Sequence, residues 1–204
     1  MLEYFERRAK MYREESERGL WSLVRQREFA CVAKALDLTG GMSVIDLGCG
    51  AGHYARLLHA EFGVDVLAVD QSPAMIEKVG DLPNWIGRVE DLPETRTFDR
   101  VLAAGMLEFV AEPAPVFRKF AALTAPGGRL VLLVPSAGLG GAAYKAVHEW
   151  QGCPVHIRSA AQYAYLGELA GFRFEQEDRC TPISTVLTFT LPMHEGLLTL
   201  LEQS

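Results

Sequence analysis

The stretch that most constrains this chain is VIDLGCGAGHYARLL, Val44 to Leu58. An apolar run, broken only by Asp46, enters three glycines within five positions, and helical periodicity follows at once. Positions without side chains let a strand turn sharply and bring its backbone close to whatever lies beyond the strand end. The helix that follows offers unpaired N–H groups and a positive dipole end to a polar or anionic ligand. These features predict a parallel α/β sheet with a nucleotide-like ligand beyond the carboxyl ends of its strands.

The rest of the chain keeps that rhythm. Short apolar runs at 43–47, 64–69, 84–86, 98–103 and 129–134 predict strands, and helical periodicity at 53–62, 73–79 and 113–124 fills several of the gaps. Ser72 and Pro73 suit the N-cap and first turn of one of these helices. Upstream, dense alternating charge over 2–18 predicts a surface helix. Phe29, Val32, Ala33 and Leu36 predict a second helix, ended by Gly40-Gly41. Downstream, residues 136–158 mix glycines with aromatics and suggest a cover segment between sheet elements. A helix at about 159–170 and two strands near 172–178 and 184–191 complete the chain. The short connection between those two strands requires an antiparallel hairpin. The expected fold is an α/β doubly wound sheet, mostly parallel, with an antiparallel C-terminal strand and helices on both faces. It reads as one domain over 1–204: N-terminal helices at 1–40, a ligand-binding core at 41–135, the cover at 136–158, and a helix and hairpin at 159–204.

Composition narrows the partners. With 204 residues and 49% apolar content, the chain can bury one sizeable core. A net charge of −6 argues against a phosphate-backbone partner, so no nucleic acid is expected. The mixed-charge N-terminus is no signal peptide and no window reaches membrane-span length, which predicts a cytoplasmic protein. Cys31, Cys49, Cys153 and Cys180 are scattered without metal-ligand spacing, as expected of independent thiols in a reducing compartment with no bound metal.

The glycine spacing separates two ligand classes. A dinucleotide loop reads GxGxxG, with its third glycine five positions after the first. Here GCGAG is followed by His53, which disfavours that class. DLGCGAG, with VDQS about twenty residues on, resembles the first two motifs of class I S-adenosylmethionine-dependent methyltransferases. FDRVLAAGMLEFV and LTAPGGRLVLLVPS are similar to that family's fourth- and fifth-strand motifs, so the likeness covers about 43–136. The resemblance implies a Rossmann-like fold and S-adenosylmethionine as cofactor, leaving as S-adenosylhomocysteine. It implies that Gly48, Cys49, Gly50 and Gly52 form the cofactor loop, with Asp46 steadying it or reaching the methionyl end. Asp70 then binds the ribose hydroxyls beside Gln71 and Met75, and Ala104 ends the fourth strand at the cofactor. Where relatives often carry GDA, this chain reads GRVEDLP, placing Arg88 at the usual acid position. Val89, Glu90 or Asp91 is left to meet the adenine. Tyr12, and Tyr4 before it, could fold over the cofactor as similar tyrosines do in relatives.

Methyl transfer from a sulfonium is an in-line displacement with a neutral leaving group, so most of the catalysis can come from positioning. A base is needed only if the acceptor keeps its proton at neutral pH. The candidates are His148 in the cover segment, the preferred base, and Glu108 in MLEFV; around His148, Tyr144, Trp150, His156, Tyr163 and Tyr165 would suit an aromatic or heterocyclic acceptor. His53 reads as a residue at the cofactor's edge. The signatures of nucleic-acid amino-methylation, pyrimidine C5-methylation and metal-dependent catechol methylation are missing. The expected function is therefore methyl transfer to oxygen, nitrogen or carbon of a small metabolite, with oligomeric state open. Two other readings compete: a protein that binds the cofactor without using it, and a nicotinamide oxidoreductase.

Overall fold

The computed structural model describes residues 20–193. Tyr4, Tyr12 and the helix expected at 2–18 lie outside that range. The elements are α1 (Leu20–Leu36), β1 (Ser43–Leu47), α2 (His53–Phe62), β2 (Asp65–Asp70), α3 (Pro73–Ile76), β3 (Asn84–Ile86), β4 (Phe98–Ala104), α4 (Ala114–Leu123), β5 (Thr124–Pro135), α5 (Leu139–Trp150), α6 (Ala160–Leu169), β6 (Arg173–Arg179) and β7 (Ser184–Thr190). Short 3₁₀ turns lie at Val89–Asp91 and Leu107–Phe109.

The strands form one sheet in the order β3-β2-β1-β4-β5-β7-β6. Pairings from β3 through β5 are parallel, and β7 runs antiparallel to both β5 and β6. Chain order reverses between β1 and β4, and a crevice opens there beyond the strands' carboxyl ends. Central strands read as near-continuous apolar runs because both their faces are covered. On one face Ile45, Val101, Leu130 and Leu132 pack with Phe117 and Phe120 of α4 and Tyr163 of α6. On the other, Val44, Leu102, Val131 and Leu133 pack with Val32 and Leu36 of α1 and Ala55 and Leu58 of α2. The edge strand β6, RFEQEDR, is largely exposed and charged, which discourages pairing with a further strand.

Two expectations need correction. The first helix ends at Leu36, with Asp37 at φ 49°, and not at Gly40-Gly41. The cause is a buried guanidinium: Arg100 of β4 donates through Nε to Leu36 O and through Nη2 to Asp37 O at 3.0 Å. It thereby takes up the orphan carbonyls that close the helix. Second, the cover segment contains the twelve-residue helix α5, although its first turn carries Gly140 and Gly141. Neither glycine acts there as a breaker. A methyl at Gly141 would collide with Ser136 O, and one at Gly140 with Pro182 O, so both permit close backbone contact.

Candidate functional site

The site begins where β1 ends. Gly48 lies at φ 70°, and a Cβ there would sit 2.7 Å from the Cβ of Met106, so only glycine admits the neighbouring turn. The amides of Gly48 and Cys49 donate to Val69 O at 2.8 and 2.9 Å, which ties the loop to the end of β2. Asp70, the last residue of β2, accepts from the Gly50 amide at 2.9 Å through Oδ2 and from the Ser72 amide at 2.9 Å through Oδ1. Burial raises the Asp70 pKa and the amides of Ser72, Gly50 and Gln71 oppose the rise. Each carboxylate oxygen has two lone pairs, so both can accept a further donor. Ser72 caps α3 by accepting from the Met75 amide at 3.3 Å, which leaves Asp70 to the loop and the cavity.

Beneath the loop lies Asp46. It is buried, and neither carboxylate oxygen has a hydrogen-bond partner among the described residues. Burial and the neighbouring Asp70 charge push its pKa up to about 7, and the Ala55 amide only partly offsets them. Buried polar groups are rarely left unpaired, and the Ala55 amide alone only partly offsets the burial, so this carboxyl keeps acceptor capacity for a further donor. Burial first, then Asp46 and Asp70, raise the Cys49 thiol far above its usual range, so it is a neutral spacer and no nucleophile.

A cavity of about 1150 Å³ runs from this loop to the start of α5. Single-ligand pockets span roughly 300–1,000 Å³, so this one has room for a nucleoside-sized ligand and a second small molecule. Gly48, Cys49, Gly50, Asp70, Gln71, Met75, Val89, Glu90 and Ala104 all line it, as do His53, Glu108 and His148. Asp46 and Gly52 stand behind the lining: Asp46 under the loop and Gly52 as the left-handed N-cap of α2. Asp91 is exposed and lies outside the lining. Arg88 stands at the mouth, where it pairs with Glu90 Oε1 at 2.6 Å. Burial first, then Arg25 and Arg56, lower the His53 pKa to about 4, so that imidazole is neutral at pH 7.

The far end of the cavity is built by β4 and α5. Glu108 sits in the turn Leu107–Phe109 and is 1% exposed. Its Oε1 accepts from the Tyr144 hydroxyl at 3.1 Å, and its Oε2 has no partner among the described residues. Burial pushes the Glu108 pKa up to about 7, opposed by its own amide and Tyr144 and assisted by Glu28. The His148 ring lies 4.1 Å from that of Tyr144 and 5.9 Å from that of Phe109. His148 Nδ1 is 2.9 Å from Tyr144 O. A carbonyl only accepts, so Nδ1 carries the proton and Nε2 keeps its lone pair in the neutral ring. Of the aromatic grouping expected from sequence, only Tyr144 and His148 line the cavity. Tyr163 stacks on Phe117 in the core, while Trp150 and Tyr165 are exposed.

Arg25 and Glu28 of α1, together with Tyr54, also line the cavity, and sequence reasoning overlooked all three. The signal was present. The inward stripe of α1, Val32 and Leu36, continues N-terminally as Glu28 and Arg25, and charges on an otherwise buried stripe imply a polar cavity. Tyr54 donates to Glu28 Oε2 at 3.4 Å, bridging α2 to α1 across the cavity wall.

Comparison with known proteins agrees with this geometry. The model of a family described as "Methyltransferase domain" matches residues 15–177. A ubiquinone biosynthesis O-methyltransferase of Xanthomonas oryzae pv. oryzae is 35% identical over 111 residues, covering 50% of this chain and 46% of that protein. The chain thus spans about half the length of such curated relatives. Among solved structures, a chain of the complex between the Haloferax volcanii Trm112 methyltransferase activator and a methyltransferase superposes with TM-score 0.75 at 20% identity, covering 93% of this chain and 98% of that one. Magnesium protoporphyrin IX methyltransferase from Synechocystis PCC 6803, with bound S-adenosylhomocysteine, gives 0.71 at 17% identity, covering 88% and 92%. At such identities the likeness establishes the fold alone.

Proposed function

The chain belongs to the class I S-adenosylmethionine-dependent methyltransferase family, and from that premise we propose that it transfers a methyl group to oxygen, nitrogen or carbon of a small molecule bearing a planar ring. The observation that carries this reading is the continuity of one cavity from the Gly48–Gly52 loop and Asp70 to Glu108, Tyr144 and His148. The residues suit the cofactor. Asp70, with lone pairs beyond its two amide bonds, would accept from the ribose hydroxyls, Glu90 and the Val89 amide would meet the adenine, and Asp46 would steady the loop or meet the methionyl end. When bound, S-adenosylmethionine supplies an activated methyl on a sulfonium that departs as a neutral thioether.

The chain's own residues do the remaining work. The loop and Asp70 hold one reactant, while α5 and the turn at Leu107–Phe109 hold the other, which converts an encounter into an aligned displacement. Tyr144, His148 and Phe109 offer ring faces against which a planar acceptor packs. Glu108 is the base: its ionised carboxylate accepts the acceptor's proton through Oε2, while Tyr144 holds Oε1. A pKa near 7 matches the operating pH, where general bases are most effective. His148 Nε2 is the second candidate for that proton. Residues 136–158 choose the acceptor, since α5 supplies the wall facing Glu108. We place the reaction in the cytoplasm, a reading supported by the four free thiols. Among the described residues no helix is long and apolar enough to cross a membrane. Calorimetry tests the cofactor assignment: S-adenosylhomocysteine should bind in the micromolar range and NAD should not, whereas NAD binding alone would return the chain to the dinucleotide class.

A further inference from the structure

We propose that Arg158 is a positioning residue for methyl transfer, clamping the carbonyls of the turn that carries Glu108 and so fixing that carboxyl at the acceptor end of the cavity. The inference rests on the reading of Glu108 as the base. Arg158 lies in the link between α5 and α6, outside the cavity lining. Its Nη1 donates to Leu107 O at 3.1 Å, and its Nη2 donates to Val110 O at 2.7 Å and Ala111 O at 2.8 Å. From the same link the His156 amide donates to Glu108 O at 2.7 Å. Four carbonyls of residues 107–111 are therefore held by one three-residue stretch of chain, His156 to Arg158.

The turn needs such support. A three-residue 3₁₀ turn leaves its last carbonyls without internal partners. From within, the Val110 amide donates to Leu107 O at 3.2 Å and the side chains of Leu107 and Phe109 are buried, while Glu108 between them is a buried carboxyl with one partnered oxygen. Arg158 meets the turn with a planar fork of donors. A lysine ammonium is a point charge on a flexible stem and cannot reproduce that fork. The link that carries Arg158 also follows α5 directly, and Tyr144 of α5 bonds to Glu108. Cover helix, link and turn thus form one closed unit around the carboxyl, with Glu28 of α1 and Tyr163 of α6 the other titratable groups that act on Glu108 or respond to it.

The test compares Arg158→Ala, Arg158→Lys, Glu108→Gln and the Arg158→Ala/Glu108→Gln double variant in the full chain. Displacement of a reacting group by about 1 Å can cost roughly 100-fold in rate. Arg158→Ala should lower kcat by about 10- to 100-fold while S-adenosylhomocysteine affinity stays within about twofold, and the loss should vanish in the Glu108→Gln background. Arg158→Lys, which keeps the charge and should fold, should recover only part of the rate. Infrared titration of the Glu108 carboxyl, assigned by its absence in Glu108→Gln, should show a lowered pKa in Arg158→Ala as the turn opens to water. An equal loss in the Glu108→Gln background, a parallel loss of cofactor affinity, or an unmoved carboxyl titration would overturn the proposal. If Glu108→Gln turns over normally, the base assignment fails separately, and the infrared result still decides whether Arg158 positions Glu108.

Discussion

At the scale of single residues, the site is a set of carboxyls in unequal surroundings. Asp70 is held by two backbone amides and keeps lone pairs toward the cavity. Asp70→Ala should weaken S-adenosylhomocysteine binding by about 1.5–3 kcal/mol, the range for hydrogen bonds to a charged group, read by calorimetry. Unchanged affinity would remove Asp70 from the ribose assignment. Glu108 acts as a base only when ionised, and its pKa is pushed up to about 7. Turnover should therefore rise with pH through about 7 and level above it, and Glu108→Gln should abolish that limb. The same shift has a cost in stability. Asp46 is raised from 3.8 to about 7, so its contribution is fully present below pH 3.8 and is lost as pH rises through about 7. Asp46→Asn should raise the melting temperature at pH 8 and not at pH 3.5, as thermal denaturation at the two pH values will show, while weakening cofactor binding. These environments were only partly legible in the sequence. Asp46 and Asp70 stand out beside a glycine loop, but nothing local reveals that one is paired and the other orphaned, because their partners come from other elements.

At the scale of elements, the sequence read well wherever a segment's own pattern decides its fate. β1 and α2 fall where their periodicity places them, since a strand buried on both faces and a helix bounded by two left-handed glycines need little context. It read poorly where a distant group decides. Arg100, inside an apolar strand, ends α1 by accepting the role of a C-cap, and no local pattern in α1 announces it. Arg100→Met should leave those carbonyls unpaired and cost about 1–3 kcal/mol, or about 2–4 °C per kcal/mol in the melting temperature of a chain this size. A melting temperature equal to wild type would show that water replaces the guanidinium. α5 was hidden for the opposite reason, since Gly140 and Gly141 look like breakers and instead admit the backbones of Pro182 and Ser136. Gly141→Ala should push α5 from the sheet end, raising the acceptor KM while leaving S-adenosylhomocysteine affinity intact. Loss of both affinities together would mean that α5 is no separate wall.

At the scale of the whole molecule, one topological feature organises the rest. The reversal of chain order between β1 and β4 opens the crevice, and the loops at its rim bring the glycine loop and Asp70 together with Glu108, Tyr144 and His148 on a common cavity. The parallel half was readable because its motifs occur in order along 43–136, and the antiparallel end because its connection is short. The proposed acceptor half was not, because its wall is assembled from the segment after β4 and from α5, which lie far apart in the sequence. The proposed function requires that this cavity join a methyl donor to a small acceptor. It is tested most directly by incubating the chain with methyl-labelled S-adenosylmethionine and a low-molecular-mass metabolite fraction, then following the label by mass spectrometry. A labelled species heavier by one methylene unit than its precursor is expected, formed together with S-adenosylhomocysteine and lost in Asp70→Ala. Tight S-adenosylhomocysteine binding with no label transferred to any acceptor would contradict it and leave a cofactor-binding protein without catalysis.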